Sequence, residues 1–163
     1  MILAPGNSKM GRVLNVSLPP CKSCDTSLPC FAGGCYAQRF YKLREGCRAA
    51  WESNWTMVST RRGEYFDQIE EAVARKKAPV FRWHMAGDVP DGDYMRRMCA
   101  VARRNAPVKW LCFTKKYDIA GLYHHTLGPG RLVEFGRGDR PAELAVAGRP
   151  AQLDDVEQDA PGG

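Results

Sequence analysis

No apolar run in the sequence approaches the roughly 18 residues that a membrane-spanning helix needs, so a helical membrane protein is excluded. The start, MILAPGNSKMGR, lacks the basic segment, apolar stretch and small-residue cleavage site of a secretory signal. A reducing cytosol is therefore the expected setting, and cysteines there point to metal or redox chemistry rather than to disulfides. Acidic residues are the scarcer charge, 18 Asp and Glu against 24 Lys and Arg, for a net charge of +6. The imbalance is local. Residues 1–125 hold 20 basic and 11 acidic residues, a charge of +9, and residues 126–163 hold 4 and 7, a charge of −3.

The second part also lacks cysteine, lysine and tryptophan, and Phe135 is its one aromatic residue, while it takes seven of the 16 glycines and four of the 11 prolines. Such a segment buries little apolar surface. The expected organisation is an α/β domain over 1–125 with a boundary near Thr126, followed by a disordered or loosely packed tail over 126–163.

Against these shortages stand an ordinary globular composition, 44% hydrophobic and 26% charged, and a length of 163 residues that can bury a core. Seven cysteines are present, and four of them, Cys21, Cys24, Cys30 and Cys35, fall within fifteen residues. Upstream, Arg12 to Leu18 alternates Leu14, Val16 and Leu18 with Val13, Asn15 and Ser17, a strand pattern that ends at Pro19-Pro20. The cysteine segment reads as a loop closing at Gly33-Gly34. Tyr36, Phe40, Leu43 and Cys47 at i, i+4, i+7 and i+11 predict an amphipathic helix, and Arg48 to Met57 a second. Further helices are expected over Gly63 to Lys77 and around Tyr94, Met98, Val101 and Ala102, with strands over Val80 to Met85 and Val108 to Phe113. Strands separated by helical crossovers imply a parallel sheet.

Cys21-x2-Cys24-x5-Cys30-x4-Cys35 places four soft ligands in a segment short enough to wrap one metal centre. Zinc sites built from four cysteines use two tight pairs, and only Cys21 and Cys24 have that spacing; a [4Fe–4S] cluster accepts wider gaps. Zinc, and thiols that bind nothing or form a disulfide, stay open beside iron–sulfur. Cys47, Cys99 and Cys112 fit the role of small buried apolar residues.

In parallel α/β folds functional groups gather beyond the carboxyl ends of strands, where this cysteine segment also lies. Arg82 and His84 share a face at the end of the second strand, Gly87-Asp88 follows, and Thr114-Lys115-Lys116 follows the third. Arg82, His84, Asp88 and Lys115 are the candidate catalytic residues. Arg82, Asp88, Thr114 and Lys115 are the candidates for holding a cofactor. A structural histidine, a turn-capping aspartate and solvated lysines are the plainer readings of these positions. The pairs Arg61-Arg62, Arg96-Arg97 and Arg103-Arg104 and the run Arg75-Lys76-Lys77 read as exposed helix faces able to attract anions such as nucleic acid.

Five pieces in order over residues 5–120 carry a resemblance. They are PGNSKMG at 5–11, the cysteines ending in Cys35-Tyr36-Ala37, Trp51 to Trp55 with Asn54, Arg82-x-His84-x-x-Gly87-Asp88 with Tyr94, and Phe113-Thr114-Lys115. Together they resemble the phage gene-product-88 family, found in phages and mobile elements. The cysteine loop ending in Cys-Tyr-Ala, with its later strand-end Thr-Lys, is also distantly similar to radical S-adenosylmethionine proteins. This second resemblance implies an incomplete parallel (β/α) barrel and a [4Fe–4S] cluster on a loop after the first strand. Cys24, Cys30 and Cys35 match the family's cysteines, and Cys21 matches less well. The x5 and x4 gaps depart from the Cys-x3-Cys-x2-Cys run of the radical enzymes, and the sequence beyond Tyr123 departs from the strands and helices that relatives continue with. The implied function is an iron–sulfur protein, with radical S-adenosylmethionine chemistry as its enzymatic form. The alternative is a zinc-stabilised, non-catalytic nucleic-acid-binding protein. A half-barrel also leaves a sheet edge that a homodimer would cover.

Overall fold

The computed structural model describes residues 1–6, 11–116 and 119. The expected boundary near Thr126 and the tail beyond it lie outside the described residues. The chain is a mixed helix and sheet protein. β1 (Leu14–Val16), β2 (Val80–Trp83) and β3 (Lys109–Cys112) form a parallel sheet in the order β1-β2-β3. Leu14 pairs with Phe81, and Phe81 with Trp110, so the three carboxyl ends share one edge of the sheet.

Six helices occur among the described residues: α1 (Pro20–Ser23), α2 (Pro29–Ala32), α3 (Tyr36–Leu43), α4 (Glu45–Thr60), α5 (Arg62–Lys76) and α6 (Gly92–Arg104). The cysteine segment, expected as a loop, contains the one-turn helices α1 and α2. Each starts on a proline, whose fixed φ and missing N–H suit the first helical position.

The expected helix through Tyr36 and Cys47 is interrupted: α3 ends at Leu43, and Arg44, at φ −117° and ψ 96°, separates it from α4. α5 and α6 follow the expected periodicity. Tyr65, Phe66, Ile69, Ala72 and Val73 are buried on α5, and Tyr94, Met95, Met98, Val101 and Ala102 on α6. The core is aromatic at its centre, with Trp83 stacked on Trp110 at 5.6 Å and Phe66 against Tyr94 at 4.9 Å.

Leu14, Asn15 and Val16 are all buried, as expected of a strand covered on both faces. Ala4 pairs with Asn15 through two backbone hydrogen bonds, so the amino-terminal segment covers part of the outer edge of β1. Buried Asn54 of α4 holds that segment in place: its Oδ1 accepts from Ile2 N, and its Nδ2 donates to Ile2 O and Ser17 O.

Candidate functional site at the strand carboxyl ends

Three connections meet beyond the carboxyl edge of the sheet: residues 17–24 after β1, 84–91 after β2 and 113–116 after β3. Leu18 N donates to Ala86 O, and Ser23 Oγ donates to Pro19 O while accepting from Asp88 N at 3.1 Å. Gly87 makes this approach feasible. Its φ is +83°, and a Cβ there would lie 2.6 Å from both Leu18 O and Ser23 Oγ.

Asp88 joins the second connection to the third. It is buried; its Oδ1 accepts from Thr114 Oγ1 and from Val89 N, and its Oδ2 accepts from Lys115 N at 3.0 Å. Burial holds its carboxyl above the ordinary range, against the pull of these donors. Thr114 is also buried and accepts from Lys116 N, and Lys116 Nζ donates to Pro90 O at 2.9 Å. Arg82 is half-buried, with its guanidinium 5.1 Å from the centre of the Phe113 ring.

His84 stands apart from the strand alternation that would place it beside Arg82. β2 ends at Trp83, and His84 adopts φ +52°, a conformation that non-glycine residues seldom take. It is buried, and its Nε2 lies 3.0 Å from Tyr94 Oη, which lies 3.0 Å from Tyr65 Oη. Its Nδ1 is buried without a hydrogen-bond partner among the described residues. Burial depresses its pKa to about 3, so the ring is neutral in the folded protein.

The cysteines divide. Cys24 and Cys35 are half-buried, and Cys30 is exposed on α2. Burial pushes the Cys24 thiol up to about 12, with the charges of Asp88, Cys35 and Cys30 adding to the rise and a Ser23 hydrogen bond opposing it. Cys24 thus lies within electrostatic reach of Asp88 and both other thiols. Cys35 is drawn to the same edge because its neighbour Tyr36 donates its hydroxyl to Met85 O.

Cys21 is exposed and keeps other company: it lies beside Tyr41, whose phenol is raised first by its hydrogen bond to Glu52 and then by burial and by Cys21. Cys99 and Cys112 are buried and Cys47 is half-buried. Among the described residues no three His, Cys, Asp or Glu side chains are gathered closely enough to hold a metal ion.

Ser23 and the Met85 carbonyl were not singled out in the sequence, and Tyr36 entered only as part of the helical stripe and of the Cys35-Tyr36-Ala37 string. Ser23 meets Asp88 across 65 positions and Tyr36 meets Met85 across 49, so no local pattern marks either. A concavity of about 600 Å³ lies away from this edge, lined by Leu3, Arg12, Leu14, Lys76 and Pro79 among others, and holds none of these groups.

Comparison with known proteins places this arrangement. The gene 88 protein of Mycobacterium phage L5 is 26% identical over 153 residues, an alignment covering 87% of this chain and 63% of that protein. The chain therefore spans less than two thirds of that relative's length. No solved structure matches. The family model described as gene product 88 matches residues 1–129, which include every element described above. The chain belongs to the gene product 88 family of phage proteins.

Proposed function

We propose that this protein binds a [4Fe–4S] cluster through Cys24, Cys30 and Cys35 at the carboxyl edge of its sheet. The observation that supports this reading is the docking of two of the three cysteines. Cys24 follows Ser23 and Cys35 precedes Tyr36, and both neighbours hydrogen-bond to the 85–88 connection. Thiolates are the ligands such a cluster takes, and no described cysteine is in a disulfide. The donor set fits in kind, as thiols carried on connections at one edge of the sheet. Its thiols are not yet together, so uptake would draw the exposed Cys30 towards Cys24 and Cys35. Three parallel strands in sequence order are also how a (β/α) barrel begins, as the expected incomplete barrel requires.

When bound, such a cluster supplies single-electron transfer. The protein's own contribution is positional. Asp88, Thr114 and the Lys115 backbone fix the two connections around the site, and the Arg82 guanidinium brings positive charge to the same edge for an anionic group of substrate or cofactor.

Anaerobic reconstitution with iron and sulfide tests the proposal. A brown protein with about four iron and four sulfide per chain, retained in Cys21→Ala and lost in Cys24→Ala and Cys35→Ala, is expected. A colourless protein that keeps one zinc and loses it in Cys21→Ala would overturn it in favour of a four-thiolate zinc site. Release of 5′-deoxyadenosine from S-adenosylmethionine under a strong reductant tests whether the cluster-loaded protein is an enzyme of the radical class.

A further inference from the structure

We propose that α3 and the turn into α4 form a binding surface for single-stranded nucleic acid. Tyr36, Phe40 and Leu43, spaced i, i+4 and i+7, would face the core of an ordinary amphipathic helix. Here they are 60%, 47% and 69% exposed, and α3 buries only Ala37. The hydrogen bond from the Tyr36 hydroxyl to Met85 O anchors one edge of the ring and leaves most of the residue open to solvent.

Many of the basic residues elsewhere on the surface are paired with carboxylates, although Arg12, Lys76, Lys77 and Lys109 are exposed and enter no ion pair among the described residues. Arg62 pairs with Asp91 and Asp93, Arg96 and Arg97 pair with Asp93, Arg104 with Glu70, Arg61 with Glu64 and Arg75 with Glu71. Most of the basic pairs that the sequence offered as anion attractors are thus already matched by carboxylates. Arg39, Lys42, Arg44 and Arg48 are exposed and enter no ion pair among the described residues. Arg39 falls on the same helical face as Tyr36 and Leu43. Glu45 is the one carboxylate in residues 36–48.

Four unmatched cations interleaved with two open aromatic rings fit a polymer that carries both phosphates and accessible base faces. That describes a single strand rather than a duplex, whose base faces are stacked inside. The surface meets the strand-end site through Tyr36, yet its other residues contribute nothing to that site. Metal content measured on the same variants therefore separates failure of this proposal from failure of the cluster assignment.

The test is fluorescence anisotropy of the full chain with labelled oligothymidylate and oligouridylate of about 20 nucleotides. Saturable binding with Kd of about 1–100 µM at about 50 mM salt is expected. It should weaken about fifty-fold by about 200 mM salt, as release of counterions from four phosphate contacts requires. Arg39→Glu with Lys42→Glu should weaken binding tenfold or more, about as losing two charge contacts demands. Phe40→Ala should weaken it about fivefold or more through lost stacking. Lys76→Glu with Lys109→Glu, an equal charge change on other elements, should leave most of the affinity.

All these positions are exposed, and an unchanged far-UV circular dichroism spectrum confirms the fold of each variant. Several results would overturn the proposal: no saturable oligonucleotide binding, equal loss in the charge control, an unaffected Phe40→Ala, equally tight duplex binding, or binding to phosphatidylglycerol vesicles in place of the oligonucleotides.

Discussion

The hydroxyl of Thr114 donates to Oδ1 of Asp88, joining the end of β3 to the connection after β2 across 26 positions of sequence. Both side chains are buried, so neither can exchange this bond for water.

Replacing Thr114 by Val keeps the shape and removes the donor. The expected loss is about 1–3 kcal/mol of stability in urea unfolding at neutral pH, with Thr114→Ser restoring most of it. Because burial raises the Asp88 carboxyl, its ionised form is disfavoured in the fold. That group's stabilising contribution is complete below its unfolded pKa and is lost as pH rises through the higher folded one. The Thr114→Val deficit should therefore be largest where Asp88 is ionised and shrink in acid. A deficit independent of pH would show that the hydroxyl does not serve the carboxylate.

Gly87→Ala combines an unfavourable φ with a Cβ driven against Leu18 O and Ser23 Oγ. Backbone strain of about 1–3 kcal/mol adds to the overlap, and the backbone oxygen has little room to yield. A thermal melt should show a strongly lowered midpoint or no folded protein. Gly34→Ala is the comparison: Gly34 has φ +97° but nothing within 4 Å of a Cβ, so it should pay for conformation alone.

His84 sets a pH window of its own. Its folded pKa lies near 3, far below the 6.5 of an exposed ring, so between those values the unfolded chain holds a proton that the folded chain refuses. Stability is then complete above about pH 6.5 and falls by up to about 1.4 kcal/mol per unit as pH drops through the window. Urea unfolding between pH 7.5 and 5 reads this slope above the range of most carboxylates. His84→Asn tolerates a positive φ and removes the titration, so it should flatten the slope by about one proton. An unchanged slope in that variant would place the titration elsewhere.

Asp91 performs two jobs at the start of α6. Its Oδ1 accepts from Tyr94 N at 2.9 Å as the helix cap, and both oxygens accept from Arg62 at 2.9 Å. Asp91→Asn retains a capping oxygen and weakens the ion pair, which is partly exposed and so worth less than about 1 kcal/mol. Asp91→Ala also loses the cap, a further 0.5–2 kcal/mol or so. The ordering of melting midpoints, wild type then Asp91→Asn then Asp91→Ala, checks the division. Equal midpoints for the two variants would remove the cap from the account.

Much of the fold is visible in local pattern. The alternation before Pro19, the apolar spacing of α5 and α6, and the helical lengths between strands are properties of short windows, and they lead directly to three parallel strands. The cysteine segment was harder to read, because one-turn helices such as α1 and α2 carry too few residues for a period. The stripe of Tyr36, Phe40 and Leu43 misled in an instructive way. Its spacing is helical and α3 is a helix, yet the stripe faces outward, since periodicity shows that a face is apolar and not what covers it.

At the strand ends, residue types alone identified Cys24, Cys35, Arg82, Asp88 and Thr114 as chemically able groups on converging connections. What each one touches was settled by the tertiary structure. Asp88 meets Thr114 and Ser23, Tyr36 reaches Met85, and Cys21 lies beside Tyr41. The periods and the inventory of donors, acceptors and thiols are legible in the chain, because they depend on neighbours a few residues apart. Tertiary structure decided the partners, because a buried polar group must be satisfied by whatever the packed chain brings within hydrogen-bond distance, here from 26 to 65 positions away.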